Sequence, residues 1–185
     1  MTRVVWFFAV AAAFAQEPMA KFGTTVVINS GLRGDVYHLP RDTQWLPDFR
    51  KMKPKGTIYT SFLNIPPQNF KEGFPGVTKR FEWFAILYTG RLWIANPGTY
   101  HFALTSDDGS KLWIDDRLVI DNDGIHFAME ASNTVNLTAG LHTLRVAYFQ
   151  GPRMEVALIL RVAGPGQRLH ILNTDEFKPP ATNDP

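Results

Sequence analysis

The chain has 185 residues, of which 45% are hydrophobic and 19% charged, and its formal net charge is +2. This length and composition are typical of one compact globular domain. The small net charge, without a clustered run of Lys or Arg, argues against a nucleic-acid-binding protein. Because the chain contains no cysteine, a disulfide framework is excluded.

The N-terminal residues have the pattern of an export signal. Arg3 supplies a positive charge, an apolar run extends from Val4 to Phe14, and small residues at Ala13 and Ala15 suit a cleavage point. The run is shorter than the roughly 20 residues that a membrane-spanning helix needs. We therefore predict a signal peptide over residues 1–15, no membrane insertion, and a secreted or periplasmic protein. An N-terminal helix packed in the core is the alternative interpretation.

The rest of the chain is dominated by strand patterns. Residues 21–79 contain many prolines and are interpreted as rich in loops, with a short helical turn near Thr43 to Lys51. Beyond them, five segments alternate with the period of two that is typical of β-strands, and a count of chain reversals adds two more strands between them. The seven predicted strands are 81–87, 100–105, 111–115, 118–121, 134–138, 141–149 and 156–162. The pattern predicts an all-β fold, an antiparallel β-sandwich with long loops and minimal helix, in one domain over 21–177. Residues 178–185 are interpreted as a flexible tail.

The order of these strands leads to a prediction about the loops. If every strand reverses the direction of the one before it, the loops 106–110, 122–133 and 150–154 lie at the same end of the sandwich. Each of these loops is polar. The sequence therefore predicts that three loops meet at one end and form a site there.

The first loop contains two adjacent aspartates, Asp107 and Asp108. In an extended strand, successive side chains point to opposite faces, so both carboxylates can converge only through a tight distortion such as a cis peptide. A divalent cation would draw them together, and calcium fits best because it accepts six to eight oxygen ligands in loose geometry. The alternative is an ordinary hairpin turn, in which Asp and Gly are favoured anyway.

The other two loops are less specific. Residues 121–124 resemble part of an EF-hand, but Val119 would occupy the first ligand position and cannot donate a side-chain oxygen. We therefore interpret them as turn formers. The third loop offers the amide oxygen of Gln150 and free backbone carbonyls, which are acceptable calcium ligands or simply a flexible turn.

At this point the sequence resembles a known family. The run GTYHFALTSDDGSKLWID, from Gly98 to Asp115, resembles the central signature of the protective-antigen-type (PA-fourteen) domain family. The segments 118–122, 137–142 and 145–149 continue the resemblance, which covers about 32–162. It implies a β-sandwich of the kind found in bacterial toxins, glycosidases, adhesins and yeast flocculins.

The resemblance also implies a ligand set. In the lectin branch of that family, two consecutive aspartates joined by a cis peptide bind calcium, and the ion coordinates sugar hydroxyls. Asp107 and Asp108 match this pair. Gln150 falls where flocculin-type members have a ligating Asn, with Pro152 and Met154 as carbonyl donors. The longer Gln side chain and the absence of the flocculin disulfides are departures from the pattern.

The expected function follows from this match. The resemblance implies calcium as cofactor and a glycan or cell-surface polysaccharide as partner, consistent with an adhesive lectin. The carbohydrate contacts are assigned to Asp107, Asp108, Gly151 and Arg153, and we expect a monomer.

Two other function classes are weighed against the lectin. Catalysis is not expected, because the five histidines lack zinc-protease spacing and there is no nucleophile elbow or phosphate-binding loop. The main alternative is a non-catalytic structural or protein-interaction sandwich that binds no sugar. Its candidate surface residues are Trp93 and Trp113, although strand aromatics more often belong to a core.

Overall fold

The computed structural model describes residues 31–69, 74, 80–153 and 155–180. Within them, the strand pairs form two antiparallel sheets packed as a β-sandwich, which confirms the predicted fold class. No helix in the described part has the length and apolar character to cross a membrane. The proposed signal peptide lies outside the described residues, as does most of the tail, and the domain bounds 21–177 stay a prediction.

The described residues contain eleven strands and two short 3₁₀ turns. The turns are Phe49–Lys51 and Thr174–Phe177. The strands are β1 (Leu32–His38), β2 (Gly56–Thr60), β3 (Asn64–Asn69), β4 (Phe84–Ile94), β5 (Gly98–Asp107), β6 (Ser110–Ile114), β7 (Arg117–Asn122), β8 (Met129–Leu137), β9 (Gly140–Gln150), β10 (Glu155–Ala163) and β11 (His170–Ile171).

One sheet has the strand order β2-β1-β4-β9-β6-β7, and the other has the order β11-β10-β5-β8, with β3 pairing alongside β10. The main core lies between the sheets and consists of inward-facing Leu, Ile, Val, Phe and Tyr side chains. A second cluster covers part of the outer face of the six-stranded sheet. It is built from Tyr37, Leu39, Trp83, Ala85 and Phe149, with Leu46, Phe49, Met52 and Leu87 packed against it. This double coverage explains why β4 is apolar on both sides.

The first part of the chain is more ordered than the sequence predicts. Residues 31–69 contain β1, β2 and β3, where we expected mainly loops. The strand β3 includes Pro66 and Pro67 and pairs with β10 at the border of its sheet. Proline is tolerated at such edges because its missing N–H need not join a ladder, so the prolines were a misleading signal. The predicted helical turn is present at its C-terminal end, as Phe49–Lys51.

Two strand bounds also differ from the prediction. The strand β4 begins at Phe84, because Trp83 has a positive φ of 55° and turns into the second cluster. The strand β8 begins at Met129, so the second loop is shorter than expected. Most of β8 is exposed at the edge of its sheet. The first residues of β8 therefore need no alternation of apolar side chains, and the sequence does not indicate that they form a strand.

The prediction that three loops meet at one end is confirmed. The loops between β5 and β6, β7 and β8, and β9 and β10 are joined by hydrogen bonds. The backbone N–H of His126 donates to Asp108 Oδ1 over 3.2 Å, and that of Gly151 donates to Asp108 Oδ2 over 2.7 Å. The N–H of Phe149 donates to the Gly109 carbonyl over 2.9 Å.

Candidate functional site

The centre of the three-loop end is the pair Asp107 and Asp108. Both residues are almost fully buried, with only 5% and 3% exposure. The peptide bond that joins them is cis, as expected from the sequence. Both residues line one pocket of about 300 Å³ together with Ile125, His126, Phe127 and Pro152.

Asp108 is held by backbone donors on both neighbouring loops. Its Oδ1 accepts from the His126 N–H, and its Oδ2 accepts from the Gly151 N–H. The Gln150 amide nitrogen lies 3.4 Å from Oδ2. Because each oxygen accepts from a backbone N–H of a different loop, the orientation of the carboxylate is preorganised.

Asp107 is held mainly through its backbone. The hydroxyl of Tyr148 lies 2.7 Å from the Asp107 carbonyl oxygen and 2.5 Å from Gln150 Oε1. It has one proton and can donate to only one of these acceptors at a time. The Asp107 carboxylate accepts a hydrogen bond from the Ala128 N–H. Tyr148 is fully buried beneath the pair, so it supports the site from inside the core.

The surroundings disfavour two negative charges. Burial, the Asp108 carboxylate and Glu155 raise the pKa of Asp107 to about 6, although His126 and the Ala128 N–H act in the opposite direction. Burial also raises the pKa of Asp108, against the lowering effect of the Gly151 and His126 N–H groups. Within the described residues, neither carboxylate forms a salt bridge with Lys or Arg. Buried carboxylates without such a partner are the arrangement that a bound cation stabilises.

Gln150 lies at the pair, but its amide oxygen points toward Tyr148. Its nitrogen faces three acceptors, Asp108 Oδ2 and the carbonyls of Pro152 and Glu155, at 3.4, 3.2 and 3.1 Å. The opposite amide orientation would place oxygen against three oxygens, so the hydrogen-bond pattern favours the one described. In this arrangement Gln150 positions Asp108 and the third loop. Its predicted role as a metal ligand stays a prediction.

The second loop is tied to the first by a buried polar network. The hydroxyls of Ser106 and Ser110 lie 2.6 Å apart, and Asn122 Nδ2 donates to Ser106 Oγ over 3.1 Å and to the Met129 carbonyl over 3.3 Å. Asp123 Oδ1 accepts from the Leu46 N–H over 2.9 Å, outside the pocket. These contacts hold the second loop so that residues 125–127 line the pocket and its aspartates do not.

The pocket wall above the aspartates is apolar. Phe127 is 76% exposed and Ile125 is 41% exposed, although both are large hydrophobic residues. His126 lies between them, and its two ring nitrogens contact the carbonyls of Phe127 and Asn122 at 2.8 and 3.0 Å. The second loop therefore presents an aromatic and an aliphatic surface beside two carboxylates.

The other predicted residues occupy different places. Pro152 lines the pocket. Gly151 is buried and contacts Asp108 through its N–H, and Arg153 stacks on Phe81, with its guanidinium 4.6 Å from the ring centroid. Met154 lies outside the described residues. Neither Gly151 nor Arg153 lines the pocket, and their predicted sugar contacts stay a prediction.

Two glycines allow the loops to approach this closely. A Cβ on Gly109 would lie 2.4 Å from a Phe149 ring carbon and 2.7 Å from the Gly124 nitrogen. A Cβ on Gly151 would lie 3.0 Å from Asp108 Oδ2. Any side chain at Gly109 would therefore push the loops apart.

The donor chemistry fits a hard cation better than a transition metal. Within the described residues, no group of three or more His, Asp or Glu side chains is arranged to hold a metal ion. The two carboxylates and the Pro152 carbonyl are all oxygen donors, and calcium commonly completes its shell with water or ligand oxygens.

The sequence also places the chain in a family. Residues 68–172 match the model of the PA14 domain. The chain belongs to the PA14 domain family. This is the family to which the run from Gly98 to Asp115 shows its resemblance, so that prediction is confirmed.

Among known proteins, this PA14 domain is similar to several relatives of different kinds. One is the anti-sigma-I factor RsgI3 of Acetivibrio thermocellus, with 28% identity over 135 residues, covering 71% of this chain and 19% of the relative. A solved anti-sigma factor domain-containing protein has a TM-score of 0.65 at 24% identity, over 84% of this chain and 50% of its own. The PA14 sugar-binding domain from an RTX adhesin also has a TM-score of 0.65, at 18% identity, over 79% and 96%.

The chain covers a different share of the length of each relative. The chain spans about a fifth of the curated relative and half of the solved anti-sigma factor protein. It covers nearly all of the adhesin domain. At these identities, the solved structures establish the shared fold.

Proposed function

We propose that this PA14 domain is a calcium-dependent carbohydrate-binding module that acts outside the cytoplasm and has no catalytic role. The observation that carries the proposal is the buried pair Asp107 and Asp108, which opens into a pocket without a Lys or Arg counter-ion among the described residues. The similarity to a domain that is described as sugar-binding supports the same proposal.

Asp107, Asp108 and the Pro152 carbonyl would hold the ion at the floor of the pocket. Bound calcium would supply open coordination positions for vicinal sugar hydroxyls. The carboxylate oxygens accept hydrogen bonds from the same hydroxyls, while the N–H groups of His126 and Gly151 keep Asp108 in place. Phe127 covers the apolar face of the sugar ring and excludes water from it.

A glycan array tests this function. The parent domain should bind a defined set of glycans in calcium, and binding should disappear when a chelator is added. The Asp108→Asn variant should fold but bind none of them. Binding that is unchanged by the chelator and by the substitution would show that sugar recognition, if present, does not use this site.

A second candidate function is a protein-interaction module without sugar binding. The observation that favours it is the 28% identity to an anti-sigma-I factor, a protein named for regulation and not for sugar binding. The glycan array separates the two candidates, because the interaction module should bind no glycan with or without calcium.

A further inference from the structure

Trp93 and Trp113, the candidate surface aromatics of the sequence, have no part in the proposed function. Both are half-buried, and neither belongs to the two apolar clusters. Their strand neighbours Leu92, Ile94 and Leu112 lie in the main core. Because side chains alternate along a strand, both tryptophans lie on the outer face of the six-stranded sheet.

A groove runs across this outer face at Trp113. It consists of two adjoining pockets of about 380 and 410 Å³, both lined by Trp113 and Arg145. The first pocket extends to the segment 46–50, and the second extends to Thr89, Arg91 and Thr143. We call this the Trp113 groove.

The groove has a cationic character. It is lined by Arg50, Lys111, Arg145 and Arg91, and by only two carboxylates, those of Asp48 and Asp116. Asp48 pairs with Arg50, and Lys111 pairs with Asp121 and Asp123 outside the groove. Arg50 contacts both oxygens of Asp48, whereas Arg91 has no ion-pair partner among the described residues and the partner of Arg145, Asp116, is mostly exposed, so Arg91 and Arg145 are the cations most available to a ligand.

Arg91 is exposed and forms no salt bridge among the described residues. The Arg145 guanidinium lies 4.8 Å from the Trp113 ring centroid and pairs with Asp116 over 3.1 Å. The Asp116 side chain is 85% exposed, and an ion pair of this kind is weak. A carboxylate on a ligand can therefore replace Asp116 as the partner of Arg145.

The surface is long enough for a chain-like ligand. Trp113 pairs with Arg145 and Trp93 pairs with Leu141, and these two partners are four residues apart on β9. With a rise of about 3.3 Å per residue and two strand spacings of about 4.8 Å, the two tryptophan Cα atoms are roughly 16 Å apart. Trp93 lines neither pocket, so this separation describes how far the outer face extends beyond the groove, and it leaves room for an oligosaccharide rather than a single sugar.

We propose that the Trp113 groove binds a carboxylated oligosaccharide, as a second site that is independent of calcium. The face of the Trp113 indole that Arg145 does not cover packs against the apolar face of a sugar ring, and Arg91 and Arg145 bind the carboxylates of uronate units. An acidic peptide is the less suitable ligand. The groove lies on the inner strands β4, β9 and β6, which have no free edge for a peptide strand to join.

The groove and the aspartate pair are separable. Asp108 precedes β6, whereas Asp116 follows it at the other end of the strand. Chelation of calcium and substitution of Asp108 should therefore leave the groove intact. A failure of one proposal does not imply a failure of the other.

The test is a titration of the full chain with cellouronate oligomers and with cello-oligosaccharides of equal length, both in chelator. These probes differ only in the C6 carboxylate. We expect cellouronate to bind in preference, with an affinity that falls as salt is added. Trp113→Ala should weaken binding about tenfold, and Arg91→Gln about threefold.

Two matched variants serve as controls. Arg117→Gln removes an exposed charge outside the groove, and Asp108→Asn removes the other site, so both should bind cellouronate like the parent. Arg91→Gln substitutes an exposed residue, so its result does not depend on whether Trp113→Ala folds. Equal binding of the uncharged oligomer, equally good binding of poly-glutamate, dependence on calcium, or an Arg91→Gln variant with parental affinity would each overturn the proposal.

Discussion

The two ends of β6 each carry a pair of adjacent aspartates, and the pairs have opposite surroundings. Asp107 and Asp108 precede the strand and are buried, with raised pKa values. Asp115 and Asp116 follow it, form a turn with positive φ values of 49° and 62°, and pair with His142 and Arg145. The same dipeptide therefore makes a charge-compensated turn at one end and a candidate cation site at the other. The difference lies in burial and in the presence of a cationic partner.

The largest expected effect comes from removing one charge at each end. Asp108→Asn should weaken calcium binding by more than about 100-fold, since it removes a buried ligand carboxylate. Asp116→Asn changes the same residue type at the turn and should leave calcium affinity unchanged. Isothermal titration of calcium into both variants measures the contrast. Equal losses in both would show that the effect is one of overall charge.

The pH dependence of the buried pair should be reversed by calcium. Without calcium, Asp107 retains its proton in the native state up to its pKa of about 6 but loses it near 3.8 when unfolded. Its contribution to stability is therefore largest at low pH and is lost as pH rises through about 6. With calcium bound, the carboxylate form is required, so calcium affinity should fall by about tenfold per pH unit below that value.

Thermal unfolding at several pH values measures both effects. In chelator it shows the loss of stability as pH rises, and in calcium it shows the loss of calcium affinity as pH falls. Asp107→Asn is the matched control, because it cannot titrate. A parent protein whose calcium affinity is constant from pH 7 to pH 5 would contradict the role of Asp107.

The apolar wall of the pocket predicts a selective effect on sugar binding. Phe127→Ala should weaken glycan binding about tenfold, because it removes an exposed aromatic surface beside the aspartates. Calcium affinity should remain that of the parent. Phe62→Ala removes another exposed aromatic side chain away from the pocket and should change neither. The comparison of glycan and calcium titrations separates contact with the sugar from damage to the ion site.

Substitution of Tyr148, which lies beneath the aspartate pair, should have a smaller effect on calcium affinity. Tyr148→Phe removes the hydroxyl that contacts the Asp107 carbonyl and Gln150 Oε1, and should weaken calcium binding by about fivefold. Tyr100→Phe removes a hydroxyl that donates to the Asn96 carbonyl over 2.9 Å, far from the loops. Tyr100→Phe should lower the free energy of unfolding by about 1 kcal/mol, as Tyr148→Phe does, but it should not change calcium affinity.

The smallest effect concerns the compensated turn. The ring nitrogens of His142 contact Asp115 Oδ2 at 2.5 Å and the Thr138 carbonyl at 2.9 Å, so two acceptors favour the doubly protonated ring. Hydrogen bonds with Asp115 and Thr138 raise the pKa of His142 against burial, and those with His142 and Thr143 lower the pKa of Asp115 against burial. The pair therefore stabilises the fold above pH 3.8, where Asp115 is charged, and loses this contribution as pH rises through the raised pKa of His142.

Asp115→Asn should reduce the free energy of unfolding by about 1 kcal/mol near pH 6 and by less at alkaline pH. Urea unfolding of the parent and the variant at both pH values measures this difference. A deficit that does not change with pH would show that the ring charge plays no part.

The sequence predicted the fold and the meeting of the three loops because strand alternation and reversal are local patterns. It identified Asp107 and Asp108 by their adjacency. It did not identify Tyr148 as a support, because a strand tyrosine has the same pattern whether its hydroxyl is free or bonded. Phe127 and Ile125 were also missed, since nothing in an irregular loop indicates which side chains face a pocket.

One signal was misleading for a physical reason, and a second leaves the ligand role of its residue as a prediction. The prolines of β3 suggested a loop, although an edge strand tolerates them. Gln150 has the right position for a ligand, but the orientation of its amide depends on Tyr148, on the nearby carbonyls of Pro152 and Glu155, and on Asp108, which is distant in sequence. Such orientations follow from tertiary contacts that no single-sequence pattern encodes.

Whether the buried pair holds calcium can be seen in an anomalous-difference map from crystals soaked in calcium at pH 7. We expect one strong peak in the pocket within about 2.3–2.6 Å of oxygens from both Asp107 and Asp108, and no peak at Asp115 and Asp116. A map without a peak at the buried pair, under conditions in which the protein is folded and calcium is in excess, would show that the pair is not a calcium site.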